Sequence, residues 1–354
     1  MSAVLNAPVI ERGTPASRIS AIAVVVIIAL LAVAPHFLSD GAVDRMTALF
    51  IYVMLAAMWN ALAGFGGLVS VGQQVFFGLG AYFTIRLADA GLNPFASLFV
   101  SAIIVGAISW PMSLFMLKLK NGEFAIGMWV IAALTHLLVN LDRLVQGETG
   151  TSLISLNVYD AGARRATIYW LALAAMTALL ATLFSLLRGS TGAAIRAIRD
   201  NEEAAASVGV RVTGTKRLLF VLAAFGIGMA GALWLATSIT FQPKTYFNVQ
   251  WTAYMIFMVL VGGIGTFEGA ILGALLFFLI ETWFGGTGVW YLIGLGATAV
   301  LFSLFLPRGV WGTLEERFGL RLLPVGYRVR LPANAGDSDA TPSPQQAATH
   351  SEKA

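Results

Sequence analysis

The sequence contains no cysteine and little charge: 11% of its 354 residues are Asp, Glu, Lys or Arg, against 58% that are apolar. An ordinary soluble domain is about 25% charged and about 45–50% apolar. Too little charge is present to cover a water-soluble globule of this length, which excludes a soluble multidomain enzyme. A disordered chain or a disulfide-built secreted chain is excluded too. Without cysteine there is no thiolate metal site and no cysteine nucleophile. No Gly-x-x-x-x-Gly-Lys-Ser/Thr loop occurs, so no nucleotide site of that kind is carried. Ser/His pairs, a His-Glu-x-x-His helix and paired aspartates are also missing. The expectation is a protein that is not an enzyme, with no catalytic residue, no metal site and no cofactor of its own.

What the sequence does have is hydrophobic length. A membrane-crossing helix needs roughly 20 mostly apolar residues, and ten stretches qualify: about 19–38, 46–63, 69–87, 95–117, 124–140, 167–187, 217–239, 251–262, 269–284 and 289–306. The predicted fold class is all-α, a polytopic integral membrane protein with about ten transmembrane helices and both termini cytoplasmic. The eighth and ninth stretches are short and flanked by glycine, which predicts half-helices, tilted or partly re-entrant. The first is too long for a signal peptide, and no small-residue cleavage site follows it. Three regions result: a cytoplasmic leader at 1–18, a transmembrane domain at 19–312, and a cytoplasmic, largely disordered tail at 313–354.

Charge placement sets the orientation. With the N-terminus inside and ten alternating crossings, 16 of the 22 Lys and Arg residues fall on the cytoplasmic side, as the positive-inside rule requires. Six of them (Arg188, Arg196, Arg199, Arg211, Lys216 and Arg217) lie in one loop, 188–217. Within it, Asp200 is placed as an N-cap with Glu203 three residues on, the spacing of a capping box. Ala204, Ala205 and Ala206 favour helix, and Gly209 is placed as its stop. The loop is therefore expected to hold a separate cytoplasmic helix of about two turns. Such a helix either docks in a groove on a partner or is a plain solvated surface helix.

Glu203-Ala204-Ala205, three residues, then Gly209 resembles the EAA-xxx-G loop of permease subunits of bacterial ABC importers. The longer Ile-x-Leu-Pro part of that pattern is not met, since Phe220-Val-Leu-Ala stands there. Four further segments, in order over most of residues 50–312, resemble the branched-chain amino acid branch of that family. They are Gly66-Gly67-Leu-Val-Ser70-Val-Gly72-Gln73-Gln74 with its continuation to Tyr82, Arg196-Ala-Ile-Arg199-Asp200-Asn201-Glu202, Gly262-Gly263-Ile-Gly265-Thr266, and Pro307-Arg308-Gly309. The chain is most similar to the LivM-like member of the permease pair such systems use.

The resemblance implies a permease in the bacterial cytoplasmic (inner) membrane that moves branched-chain or related amino acids inward. Close relatives in the family carry urea and short amides. It implies several partners: ATPase subunits that bind ATP and Mg, a second permease subunit, and a periplasmic substrate-binding protein. Asp200, Glu203, Ala204, Ala205 and Gly209 would form the helix that couples to the ATPase.

Glycines at 66, 67, 72, 78 and 80 in the first segment either let helices pack closely or let the backbone unwind beside a polar path. On the second reading Gly66, Gly67, Ser70, Gly72, Gln73 and Gln74 line the translocation path. The Gly262–Thr266 stretch reads as a cytoplasmic turn. The outer loop at 146–152 is either a solvated turn or part of the docking face for the binding protein. An ion-coupled secondary transporter is the competing class, and it would need paired ionisable groups inside the membrane. His136 is expected to bond across helices, with no acidic partner in its own helix. Glu281 is expected to reach the outer interface, Glu123 and Glu268 to sit at cytoplasmic edges, and Arg86 to snorkel outward.

Overall fold

The computed structural model describes residues 9–11, 15–318, 322–323 and 328–330. Most of the predicted leader and tail lies outside the described residues. Helix α1 (Pro15–Val33) ends in a short 3-10 turn, and α2 (Asp40–Asn60) continues into a widened π turn over Ala61–Phe65. Then follow α3 (Gln74–Asp89), α4 (Pro94–Met116), α5 (Asn121–Asn140) and α6 (Ala161–Arg188). The basic loop holds α7 (Ser190–Asp200) and α8 (Glu202–Ser207). The last part comprises α9 (Val212–Ser238), α10 (Pro243–Tyr246), α11 (Gln250–Gly262), α12 (Phe267–Phe284), α13 (Val289–Phe305) and α14 (Gly309–Phe318).

Eight helical segments among the described residues are long and apolar enough to cross a membrane. The chain is an all-α polytopic membrane protein, as composition predicted. The eighth stretch, α11, is short as expected, and the ninth is not. The ninth stretch, α12, runs on through a 3-10 turn and is among the eight. The two short helices are α3, with 16 residues, and α11, with 13. Each adjoins irregular glycine-rich backbone, which in α3 replaces helix expected over 69–73.

The long uncharged run from Met46 to Ile85 explains the centre of the bundle. A helix apolar on every side belongs either in a protein core or against lipid, and here residues 50–66 are all buried in the protein. Helices α6, α9, α11 and α12 pack around α2. Aromatic rings fill the joints: Phe50 meets Tyr169 edge-on at 5.2 Å, and Tyr52 meets Phe277 at 5.0 Å. By contrast none of α1's apolar window is buried, a surface matched to lipid. Hydrogen bonds from Tyr169 to the Leu31 carbonyl and from Trp170 to the Ala32 carbonyl hold its end against α6.

Helices α3, α4 and α9 form a second layer. Asn93 caps α4 by accepting the Phe95 N–H at 2.9 Å, a first-turn donor that would otherwise go unpaired. Ser97, Ser101, Ser109 and Ser113 are buried along one side of α4, where small side chains let backbones approach. Helix α3 crosses α9 with the two backbones in close contact. A Cβ on Gly80 would lie 2.0 Å from the Gly228 carbonyl oxygen, and one on Gly231 would lie 2.0 Å from that of Phe77.

Two polar residues sit otherwise than expected. Glu281 turns inward and accepts the Tyr52 hydroxyl at 2.7 Å. His136 does find an acid, Glu148 of the outer loop, at 2.9 Å; the partner comes from outside its helix, so helical spacing could not reveal it.

Gly80→Leu should destabilise the fold by at least about 1–3 kcal/mol, the range for overpacked sites, because backbone blocks the new side chain. Gly294→Leu on α13, where an added Cβ meets nothing within 4 Å, should leave the thermal midpoint in detergent near that of the wild type. Equal midpoints for the two variants would refute the packing argument.

Candidate functional site

The basic loop folds as two helices joined by one extended residue. In α7 the alternation of Ile195 and Ile198 with arginines makes an amphipathic helix, and those two isoleucines are buried together with Gly192. Asp200 is the last residue of α7, and Asn201 takes the extended backbone of a cap (φ −157°, ψ 109°). The Asn201 side-chain Oδ1 accepts the Ala204 N–H at 3.0 Å. The N-cap is therefore Asn201, which corrects the expectation of Asp200. The preceding helix runs through Asp200 and denies it the non-helical backbone a cap requires. Glu203 closes no box with Asp200 and is exposed, while Glu202 pairs with Lys216 of α9 at 2.6 Å.

The stop at Gly209 is as predicted. Its φ is +87°, its N–H bonds the Ala206 carbonyl at 3.0 Å, and the Val210 N–H bonds that of Ala205 at 3.1 Å. These two bonds define a left-handed glycine cap. Ala205 is the buried side chain of α8. Glu202, Glu203, Ala204, Ala206 and Ser207 are exposed, and Val208 is 79% exposed. The result is a six-residue helix, fixed at both ends, that presents small side chains to its surroundings.

Arg199, one turn before α8, reaches into the bundle. Its guanidinium donates to the Gly64 carbonyl at 2.7 Å, in the π turn that ends α2. The same side chain packs against Gly67 and Gly265. On the other side of this joint, the Asn60 side chain accepts the Gly265 N–H at 2.9 Å and donates to the Thr266 carbonyl at 2.8 Å. The predicted Gly262–Thr266 turn is present, with left-handed backbone at Gly265 (φ +75°). Gly309 of the Pro-Arg-Gly segment lies directly on it, since a Cβ there would come within 2.5 Å of Gly263. Four separate motifs of the sequence thus meet at one joint.

The segment between α2 and α3 is unwound. Leu68 bonds back to the Leu62 carbonyl, and the indole of Trp59 donates to the Ser70 carbonyl at 3.1 Å. Both bonds satisfy backbone that helical pairing has abandoned, a necessity inside a membrane. Gly66, Ser70, Gly72, Gln73 and Gln74 are buried, and Gly67 is exposed. Gly72 packs against the backbone of α5, where a Cβ would lie 2.1 Å from the Met128 carbonyl oxygen. Gln74 is hydrogen-bonded by the Thr252 hydroxyl of α11. Neither side-chain polar atom of Gln73 has a hydrogen-bond partner among the described residues. A buried amide left without partners is costly, so Gln73 is the residue of this segment that awaits one.

The sequence reading passed over Asn60. A lone Asn in the apolar run 46–65 was the available signal, because a polar side chain there must find partners. Arg199 was read as loop charge and as part of the Arg196–Glu202 resemblance, without its contact to Gly64.

At the other end of the bundle the loop at 146–152 is pinned. Glu148 accepts the Asn140 side-chain amide at 2.6 Å and the Lys244 backbone N–H at 3.0 Å, and Thr151–Ser152 pairs antiparallel with Thr240–Phe241. Nearby, Arg86 is bound at 2.9 Å by Asp142 rather than snorkelling free. Partial burial pushes the Asp142 carboxyl up. Hydrogen bonds from the Tyr82 hydroxyl and the Leu144 amide, with the Arg86 charge, outweigh burial and hold it below its ordinary value.

Compared with known proteins, residues 41–307 match the profile of a family described as branched-chain amino acid transport system, permease component. The high-affinity branched-chain amino acid transport system permease protein LivM of Salmonella typhimurium is 27% identical over 86% of this chain and 77% of its own length. The protein of the same name from Escherichia coli is 26% identical over the same shares. A probable branched-chain amino acid transport permease protein LivM of Methanocaldococcus jannaschii is 26% identical over 64% of this chain and 70% of its own. No solved structure matches the chain at a significant level.

Asn201→Ala should cost about 1 kcal/mol in local helix stability and speed hydrogen exchange at the amides of α8. Asp200→Ala should leave those amides unchanged. The opposite ranking would restore Asp200 as the cap.

Proposed function

The chain belongs to the family of permease components of branched-chain amino acid transport systems, and from that membership we propose that it is the membrane subunit of a binding-protein-dependent ABC importer. It is a transport subunit and a multi-pass protein of the bacterial inner membrane. In this reading it carries branched-chain or related amino acids into the cytoplasm. Separate ATPase subunits supply the energy, a second permease subunit completes the pore, and a periplasmic binding protein delivers the cargo at the face that carries the pinned 146–152 loop.

One observation carries the reading: the exposed, doubly capped α8 is joined through Arg199 to the inner end of the buried α2. A partner that grips Glu203, Ala204 and the Gly209 stop moves α7 with it. Arg199 then pulls on the Gly64 carbonyl and on the turn at Gly265, the two places where helix is already broken. Interruptions of helix of this kind often mark the places where a bundle hinges. The adjoining unwound segment, with Gly66, Gly67, Ser70, Gly72, Gln73 and Gln74, then lines the path that opens. In that path the unpaired amide of Gln73 supplies a donor and an acceptor to the passing substrate. Urea or a short amide is the second cargo this reading admits, and the binding protein's affinity for each decides between them.

Gly209→Leu and Glu203→Lys should each weaken pull-down of the ATPase subunits, on the order of tenfold, without altering membrane insertion. Arg199→Ala should leave ATPase association intact while ATP-driven uptake in proteoliposomes falls by a similar factor. Uptake by this chain alone on a proton or sodium gradient would overturn the importer reading.

A further inference from the structure

A cavity of about 360 Å³ opens between α2, α9, α10, α11 and α12, lined by Tyr52, Trp234, Lys244, Trp251, Tyr254 and Glu281 among others. Helix α9 begins beside α8, where Lys216 meets Glu202, and reaches the cavity only near its last turn, at Trp234. Helix α12 likewise starts at the Arg199 joint and reaches the cavity at Glu281. The cavity therefore lies at the end of the bundle remote from α8. Its volume is within the range of about 300–1,000 Å³ typical of small-ligand sites.

Its walls carry one charge of each sign. Glu281 is only partly buried, and among the described residues its hydrogen-bond donor is the Tyr52 hydroxyl, at 2.7 Å to one carboxylate oxygen. No cation lies within 4.0 Å of it among the described residues. A carboxylate in a membrane helix without a cation marks a functional position. Lys244 is exposed on α10, its backbone N–H fixed by Glu148 at 3.0 Å, and its ammonium has no ion-pair partner among the described residues. The two charges share the cavity without closing on each other.

The same cavity is lined by aromatic rings. Trp234 meets Trp251 edge-on with centroids 4.9 Å apart, Tyr52 lies 5.9 Å from Trp234, and Trp251 lies 6.1 Å from Tyr254. Trp251 is held in place by its indole N–H, which donates to the Thr245 carbonyl at 2.9 Å. Ring faces attract an ammonium and give apolar surface to a hydrocarbon side chain.

We infer that this cavity is a binding site in the membrane subunit for a zwitterionic α-amino acid, its ammonium on Glu281 and the aromatic faces, its carboxylate on Lys244, and its apolar side chain among the rings. A simple cation would leave Lys244 facing it, and a simple anion would leave Glu281 facing it. Only a molecule with both charges and a small apolar body satisfies the whole lining. The inference deepens the importer reading and rests on it for the identity of the side from which cargo enters.

The test is a binding competition on the full chain in lipid nanodiscs, read by scintillation proximity with tritiated L-leucine. L-leucine methyl ester keeps the ammonium and lacks the carboxylate; 4-methylpentanoate keeps the carboxylate and lacks the ammonium. In the wild type, L-leucine should out-compete each by roughly tenfold or more. Glu281→Gln, which retains an acceptor for Tyr52, should erase the advantage of leucine over 4-methylpentanoate and keep its advantage over the ester. Lys244→Gln should do the reverse. Lys244 is exposed, so that variant disturbs no packing and keeps the test decisive should Glu281→Gln misassemble. The site is refuted if the wild type does not bind leucine, if it binds all three compounds alike, or if the variants keep the wild-type ranking. ATP-driven uptake by the complete transporter is measured separately. The predicted ranking without ATP-driven uptake would leave the site standing and overturn the importer. ATP-driven leucine uptake with an unchanged ranking in both variants would overturn the site alone.

Discussion

The hydrogen bond from Arg199 to the Gly64 carbonyl joins the part of the chain in water to the part in lipid. Backbone that leaves helical pairing within a bilayer must be satisfied by something else. The chain breaks helix at the end of α2, before α3 and between α11 and α12. Three side chains repair these breaks: Arg199 at Gly64, Asn60 at Gly265 and Thr266, and Trp59 at Ser70. Each repair crosses from one element to another. The same bonds that make the irregular backbone tolerable therefore tie α2, α7 and the α11–α12 turn into one mechanical unit.

The two ends of the bundle divide the work physically. At one end a short helix is fixed by an Asn cap and a left-handed glycine, and its surface is nearly free of bulk. At the other, tryptophan and tyrosine rings, a carboxylate and an ammonium surround open space. Helix α9 runs from one end to the other, and the close α3–α9 crossing at Gly80 and Gly228 stiffens it. A displacement at α8 is delivered to a packed layer rather than absorbed by a loose one.

Much of this was legible in the sequence, and what was not has a physical reason. Apolar runs located the long helices because lipid demands length and hydropathy and little else. Gly209 was legible because a left-handed stop strongly favours one residue type. The cap was misread between neighbours: Asp200 and Asn201 both carry a suitable oxygen, and the choice depends on how far α7 winds, which local spacing does not encode. The shortness of α11 was legible, but that of α3 was not, because hydropathy cannot distinguish wound from unwound apolar backbone over residues 66–73. Asn60 went unnoticed because its partners lie some 200 positions away, at Gly265 and Thr266. The cavity beside Glu281 was invisible for the same reason. Its lining comes from five helices, and no local pattern records which distant residues meet.

Helices α1 and α2 are both long and apolar enough to cross a membrane, yet none of α1's apolar window is buried, while residues 50–66, from α2 through its π turn, are buried without exception. Fluid hydrocarbon does not distinguish one apolar outline from another, so most of α1 has only to be oily, and many spellings serve equally. In α2 each side chain is read by four neighbouring helices, and its spelling is close to unique. A hydropathy plot marks both as spans, with mean hydropathy 2.5 and 1.8, although one stores a solubility and the other stores a shape. Freedom to vary should therefore fall steeply from the lipid-facing rim to the centre of this bundle, along an axis that the linear order of the chain conceals.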